Sequence, residues 1–180
     1  MDTWRKFHWL MMVTAVYNSQ KMVPDRTIDE LDVRILEILQ RNARTTQSDV
    51  AKAVGLAPSA VLERMRKLEA KGVIRDYVTT IDPHVANRSL LAFVSVRTNE
   101  YGVDQPSAQA LSQIPEVLEI HHVAGEDCFL LKVRAKDAEH LGQMLRRQIA
   151  SVPGVTSTRT TIVLETVKET SRIPIVRGES

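Results

Sequence analysis

The tetrapeptide Gly55-Leu56-Ala57-Pro58 is the tightest constraint on what this chain can fold into. Glycine just past a helix end takes the left-handed conformation without a Cβ penalty. Proline at a first helical position has the right φ, and its missing N–H would have been unpaired there anyway. One helix is therefore expected to stop and another to start across a short turn. Upstream, Thr46 with Asp49 opens a helix whose inner face is Val50, Ala51 and Val54. Downstream, Val61, Leu62, Met65 and Leu68 share one side of a helix that runs to Lys71, with Gly72 as its stop signal. Before both, Thr27-Ile-Asp-Glu30 reads as a capping box, followed by Leu31, Ile35, Ile38 and Leu39 on one helical face ending near Asn42.

Three short helices, the last two joined by a tight glycine-containing turn, have the grammar of a helix-turn-helix. The third helix turns Ser59, Ala60, Glu63, Arg66 and Lys67 broadly away from its apolar side, with Arg64 and Lys71 on a flank. Residues near the N-terminus of such a helix reach base edges in the major groove, while cations mostly meet phosphates. Ser59, Ala60, Glu63, Arg64, Arg66 and Lys67 are thus the expected contacts to double-stranded DNA. The competing reading is an ordinary solvated helix with a Glu63–Lys67 pair one turn apart. The charge balance, 24 cations against 22 acids with a pI near 8.8, decides neither way.

Beyond Gly72 the period changes. Val73 to Ile81 is strand-like, Asp82-Pro83 closes it, and residues 83–89 read as a linker. Then come a strand from Leu90 to Thr98, a helix from Pro106 to Ile114, a strand from Val117 to Val123, and one from Cys128 to Val133. A helix from Ala138 to Ala150 and a strand from Val155 to Val167 finish the series. The order βαββαβ is the ferredoxin-like arrangement, an antiparallel sheet with both helices on one face. The fold class is thus α+β: a helix-turn-helix domain over 25–82, a ferredoxin-like domain over 90–168, and a tail over 169–180. Leu91, Phe93, Val94, Val96, Ile162, Val163 and Leu164 exceed what one core needs. A homodimer burying the open face is expected.

Residues 1–24 stand apart. They hold Trp4, Phe7, Trp9 and Tyr17, half of the eight aromatics in the chain. Their apolar run is too short for a membrane span and lacks a convincing cleavage site, so no membrane association is expected. The two readings of this segment are an extra amphipathic element and an over-long start, with Met22 as the first residue. A single cysteine leaves no internal disulfide or multi-cysteine zinc site and fits a reducing, cytoplasmic setting. His121 and His122 are adjacent on a strand and point to opposite faces, so they cannot share one ion. No catalytic residues, metal site or cofactor are expected. The remaining alternative is a ferredoxin-like small-molecule-binding enzyme with an accessory helical domain.

Three strings give the chain a family likeness: Asp29-x-x-Asp32-x-x-Ile-Leu, Ala51-x-x-Val-Gly-Leu-x-Pro-Ser, and Val61-x-x-Arg64-x-x-x-Leu-Glu-x-x-Gly-Val-Ile-x-x-Tyr77. In combination they resemble the Lrp/AsnC, or feast/famine, transcription regulators. Residues 119–133 and 153–164 are similar to the effector domain of the same family, called RAM. The resemblance covers about residues 25–170 and departs from the family pattern at Ala57, where a serine is usual. Losing a hydroxyl cap typically costs about 1 kcal/mol. The resemblance implies a regulator whose DNA affinity or assembly responds to an amino acid or related small molecule, with dimers built into octamers. It also implies that Gly125, Glu126 and Asp127 form the effector loop. By residue chemistry alone, the same three read as a hairpin turn.

Overall fold

A computed structural model describes residues 27–100, 105–125 and 127–175. The N-terminal segment and Glu126 lie outside the described residues. The described residues form two compact units, one of residues 27–78 with 170–175 and the other within residues 79–169.

The first unit holds α1 (Glu30–Arg41), α2 (Gln47–Val54) and α3 (Pro58–Ala70). The capping box of α1 is Asp29 with Asp32, not Thr27 with Glu30. The Asp32 N–H donates to Asp29 Oδ1 at 2.8 Å, and the Asp29 N–H donates to Asp32 Oδ2 at 3.2 Å. A carboxylate at both positions accepts a first-turn N–H better than a threonine and suits the positive helix end. Thr46 caps α2 as expected, accepting from the Asp49 N–H, and Gly55 ends it at φ +74°. Ala57 makes no side-chain cap, so α3 begins on Pro58 alone. Ile35, Leu39, Val50, Ala51, Val54 and Val61 form the core of this unit, with Leu31, Ile38, Leu56, Met65 and Ile74 half-buried around it.

Residues 73–81 are not a strand. Their alternating pattern suits one, but no neighbouring strand among the described residues offers a ladder. Val78 and Ile81 remain 68% and 65% exposed. Tyr77 folds back instead, its hydroxyl donating to Glu69 at 2.9 Å. Burial of the ring, with that carboxylate beside it, pushes the phenol up to about 12.

The second unit contains β1 (Leu90–Thr98), α4 (Pro106–Ser112), β2 (Val117–His122), β3 (Phe129–Ala135), α5 (Ala138–Met144) and β4 (Val155–Ile162). A π-helical turn, Leu145–Ile149, continues α5. The sheet order is β2-β3-β1-β4 with every neighbour antiparallel, the ferredoxin-like arrangement. The last strand stops at Ile162 rather than Val167. Ile162 already lies opposite Ala92, so two more residues bring it level with the start of β1, where the ladder ends. Beyond that edge Leu164 and Val167 are almost fully exposed.

The core of this unit lies between the sheet and the helices. Ala92, Val94, Val96, Phe129, Leu131 and Val133 face Leu111, Leu141, Met144 and Ile149. Val94 and Val96 therefore belong to the core, not to the open face where the excess apolar residues were expected. Strand alternation divides β1: Leu91 and Phe93 take the other side with Leu130, Lys132 and Arg134 from β3. That face is mixed rather than apolar. Lys132 pairs with Glu119 at 3.0 Å and with Glu169, which also meets Arg134 at 3.2 Å. The hydrogen bond to Glu169, and then that to Glu119, raise the Lys132 ammonium against the pull of burial. The ammonium in turn lowers both carboxyls.

Candidate DNA-binding helix and effector loop

The apolar side of α3 sets its register on the core. Val61 and Leu68 are buried, which leaves Ser59, Glu63, Arg66 and Lys67 exposed and Ala60 half-buried. Glu63 and Lys67 pair at 2.7 Å, and the ammonium lowers the Glu63 carboxyl through this hydrogen bond. Such an exposed pair is worth little and separates easily. Arg66 makes no ion pair among the described residues. Arg64 behaves differently. Its Nη1 lies 2.6 Å from Asp29 Oδ2 and 2.8 Å from Asp32 Oδ1, tying α3 to the capping box of α1. This side chain, expected to contact DNA, is thus engaged inside the helical unit.

This tie makes the unit sensitive to acid. The Asp32 N–H, followed by the Arg64 guanidinium, holds the Asp29 carboxyl below its usual range. A carboxyl lowered on folding adds stability above its unfolded pKa, about 3.9, and loses it as pH falls through the folded value. Urea melts between pH 7 and 3 should show the helical unit weakening below about pH 4. The acid-induced loss should be smaller in Arg64→Met. An identical pH dependence in that variant would remove Arg64 from the account.

In the second unit, Gly125 sits in the turn between β2 and β3 at φ +150° with open space where a Cβ would stand. The backbone conformation, not crowding, asks for glycine there. Asp127 follows, only 17% exposed at its side chain, and two guanidinium groups hold it. Arg159 Nη2 donates to Oδ2 at 2.6 Å, and Arg97 Nη2 lies 3.8 Å from Oδ1. The β1–β4 register sets Arg97 opposite Ser157 and Arg159 opposite Ser95, both on the side away from Val94 and Val96. Sequence reading missed these arginines. Each stands at an outward position of a strand, but only strand pairing brings them to residue 127. Glu126 lies outside the described residues. Nearby, His122 packs its ring 5.4 Å from Phe129, while His121 pairs with Glu119 at 3.2 Å. Half-buried Cys128 accepts the Thr98 N–H through Sγ at 3.4 Å. No helix among the described residues is long and apolar enough to cross a membrane.

A helix-turn-helix with a solvent-facing third helix, joined to a separate ferredoxin-like unit, defines a DNA-binding transcription regulator carrying its own sensory domain. The winged helix-turn-helix DNA-binding family matches residues 28–75, and the Lrp/AsnC ligand binding domain matches residues 91–173. The chain is 38% identical over 148 residues to the HTH-type transcriptional regulator FL11 of Pyrococcus horikoshii, spanning 82% of this chain and 97% of that protein. It is 36% identical over 159 residues to the leucine-responsive regulatory protein of Escherichia coli, spanning 87% and 97%. Among solved structures, a Neisseria meningitidis transcriptional regulator in complex with L-methionine superposes with a TM-score of 0.76 at 30% identity. It spans 82% of this chain and 97% of its own. The feast or famine regulatory protein of Mycobacterium tuberculosis, also complexed with L-methionine, gives 0.76 at 33% identity, over 82% and 99%. This chain belongs to the Lrp/AsnC family of transcriptional regulators, and the enzyme reading is set aside.

Proposed function

We propose that this regulator reads duplex DNA with α3 and senses an amino acid at the Gly125–Asp127 turn. It acts in the cytoplasm as a homodimer that assembles into higher oligomers such as octamers. The observation that carries the DNA reading is the split of α3 into a buried side, Val61 and Leu68, and an exposed side bearing Ser59, Glu63, Arg66 and Lys67. Ser59, Ala60 and Glu63 are the base-side candidates. Arg66 and Lys67 are the phosphate contacts, and Arg64 serves mainly by fixing α3 against α1. The amino-acid reading draws support from two relatives solved with L-methionine and from the charged turn at Asp127. The dimer reading draws support from the exposed Leu118, Ile162, Leu164 and Val167.

The test is duplex binding followed against salt. Selection from random duplexes should return imperfect palindromes whose half-sites lie about one helical turn, or a multiple of it, apart. Arg66→Ala and Lys67→Ala should each weaken binding across sequences and reduce the salt slope by about one unit. Full-affinity binding of a monomer to a short asymmetric site would contradict the reading.

A further inference from the structure

We infer that Arg159 is the effector's carboxylate receiver, held in reserve on Asp127 until a zwitterion displaces it. The inference rests on the amino-acid reading of the Gly125–Asp127 turn and adds to it a residue and a mode of selection. Its starting point is an asymmetry within one ion pair. The Asp127 side chain is 17% exposed, whereas the Arg159 side chain lying on it at 2.6 Å is 73% exposed. The carboxylate is therefore a shielded, fixed group, and the guanidinium is an outer cover over it. Arg97, 3.8 Å from the other carboxylate oxygen, approaches from β1 and keeps a cation beside Asp127 whichever way Arg159 turns.

An α-amino acid carries an ammonium and a carboxylate on one carbon, the same two charges that Arg159 and Asp127 present to each other. Inserted between them, its ammonium takes the place of the guanidinium on Asp127, and its carboxylate meets the released guanidinium. One ion pair is exchanged for two, and no charge is left without a partner. The planar fork of arginine suits this second contact, because it receives a carboxylate through two parallel N–H donors. Release costs little on the Arg159 side, since that guanidinium is already largely in solvent, and Arg97 stays beside the shielded carboxylate. Gly125, with no Cβ and nothing within 4 Å of where one would stand, leaves room for a small molecule beside the turn.

The arrangement also implies rejection. A ligand with an ammonium but no carboxylate would have to evict Arg159 without giving it a new partner. A ligand with a carboxylate alone would leave Asp127 as it was. The site thus selects for the zwitterion through a group that competes with every incomplete ligand.

Calorimetry tests this with each of the twenty amino acids in turn, and then with the carboxamide and the deaminated acid of the tightest binder. The intact protein should prefer the amino acid over both analogues by about tenfold or more, as expected for loss of a charge-assisted contact. In Arg159→Gln the amino acid should bind more weakly while the carboxamide binds more tightly than to the unaltered protein, because only the more distant Arg97 guanidinium now competes for Asp127. Arg159→Lys should restore part of the preference, and unchanged melting temperatures would show that the exposed substitution leaves the fold intact. A purely structural pair would lower both ligands together. If the amino acid binds and Arg159→Gln keeps the full preference over the carboxamide, the inference fails and the effector reading stands. If no amino acid binds the unaltered protein, both fail.

Discussion

Ile35→Ala should abolish DNA retention while leaving the ferredoxin-like unit folded. Ile35 is fully buried in the core that it forms with Leu39, Val50, Ala51, Val54 and Val61, so its truncation leaves a cavity there. Truncation of a buried isoleucine costs about 2–5 kcal/mol. A unit of about sixty residues has a total stability of roughly 3–9 kcal/mol. One substitution thus removes a large part of what keeps α3 in place. Calorimetric scans should show one transition shifted far down and the other unmoved. DNA affinity within twofold of the unaltered protein, with both transitions intact, would refute the claim that this core holds α3 in place.

Phe129→Ala should produce the converse. Its ring is buried at the first residue of β3, opposite Val96 and against the tilted ring of His122. Loss of a buried phenylalanine costs about 3–5 kcal/mol. The damage falls where β3 pairs with both β1 and β2, so the sheet has no way to yield at one edge only. Amino-acid binding should be lost, and the proposed oligomer should give way to smaller species in sedimentation. The transition of the helical unit should stay in place, and affinity for a palindrome should drop toward that for a single half-site. An unchanged oligomer would remove the sheet from the account of assembly.

Much of this architecture is legible in the sequence because its signals are local. Gly55 and Pro58 fix the turn between α2 and α3, and Leu90 to Thr98 forms a strand over the residues that alternation indicates. What escaped depends on partners distant in sequence. Residues 73–81 carry a strand pattern, but a pattern does not supply a neighbouring strand. Val94 and Val96 look surplus in the sequence because composition cannot say which side of a sheet the helices cover. Arg64 has the charge of a phosphate contact, yet its carboxylate partners stand more than thirty residues away on α1. The Arg159–Asp127 pair likewise exists only through the register of β4 on β1.

The helical unit is discontinuous: the chain leaves it after Val78 and rejoins it from Thr170. The Gln40 side chain clamps the returning segment, donating to the Ile173 carbonyl at 3.0 Å and accepting the Ile173 N–H at 2.7 Å. The sensory unit is therefore an insertion held at both ends, not an appendage on a single linker. Domain exchange between such regulators calls for two junctions. A chimera cut once near residue 78 would import a foreign tail to lie along α1, while one that also restores residues 170–175 would keep the Gln40 clamp. An isolated DNA-binding fragment faces the same requirement, because the peptide that completes it follows the whole sensory unit in the chain.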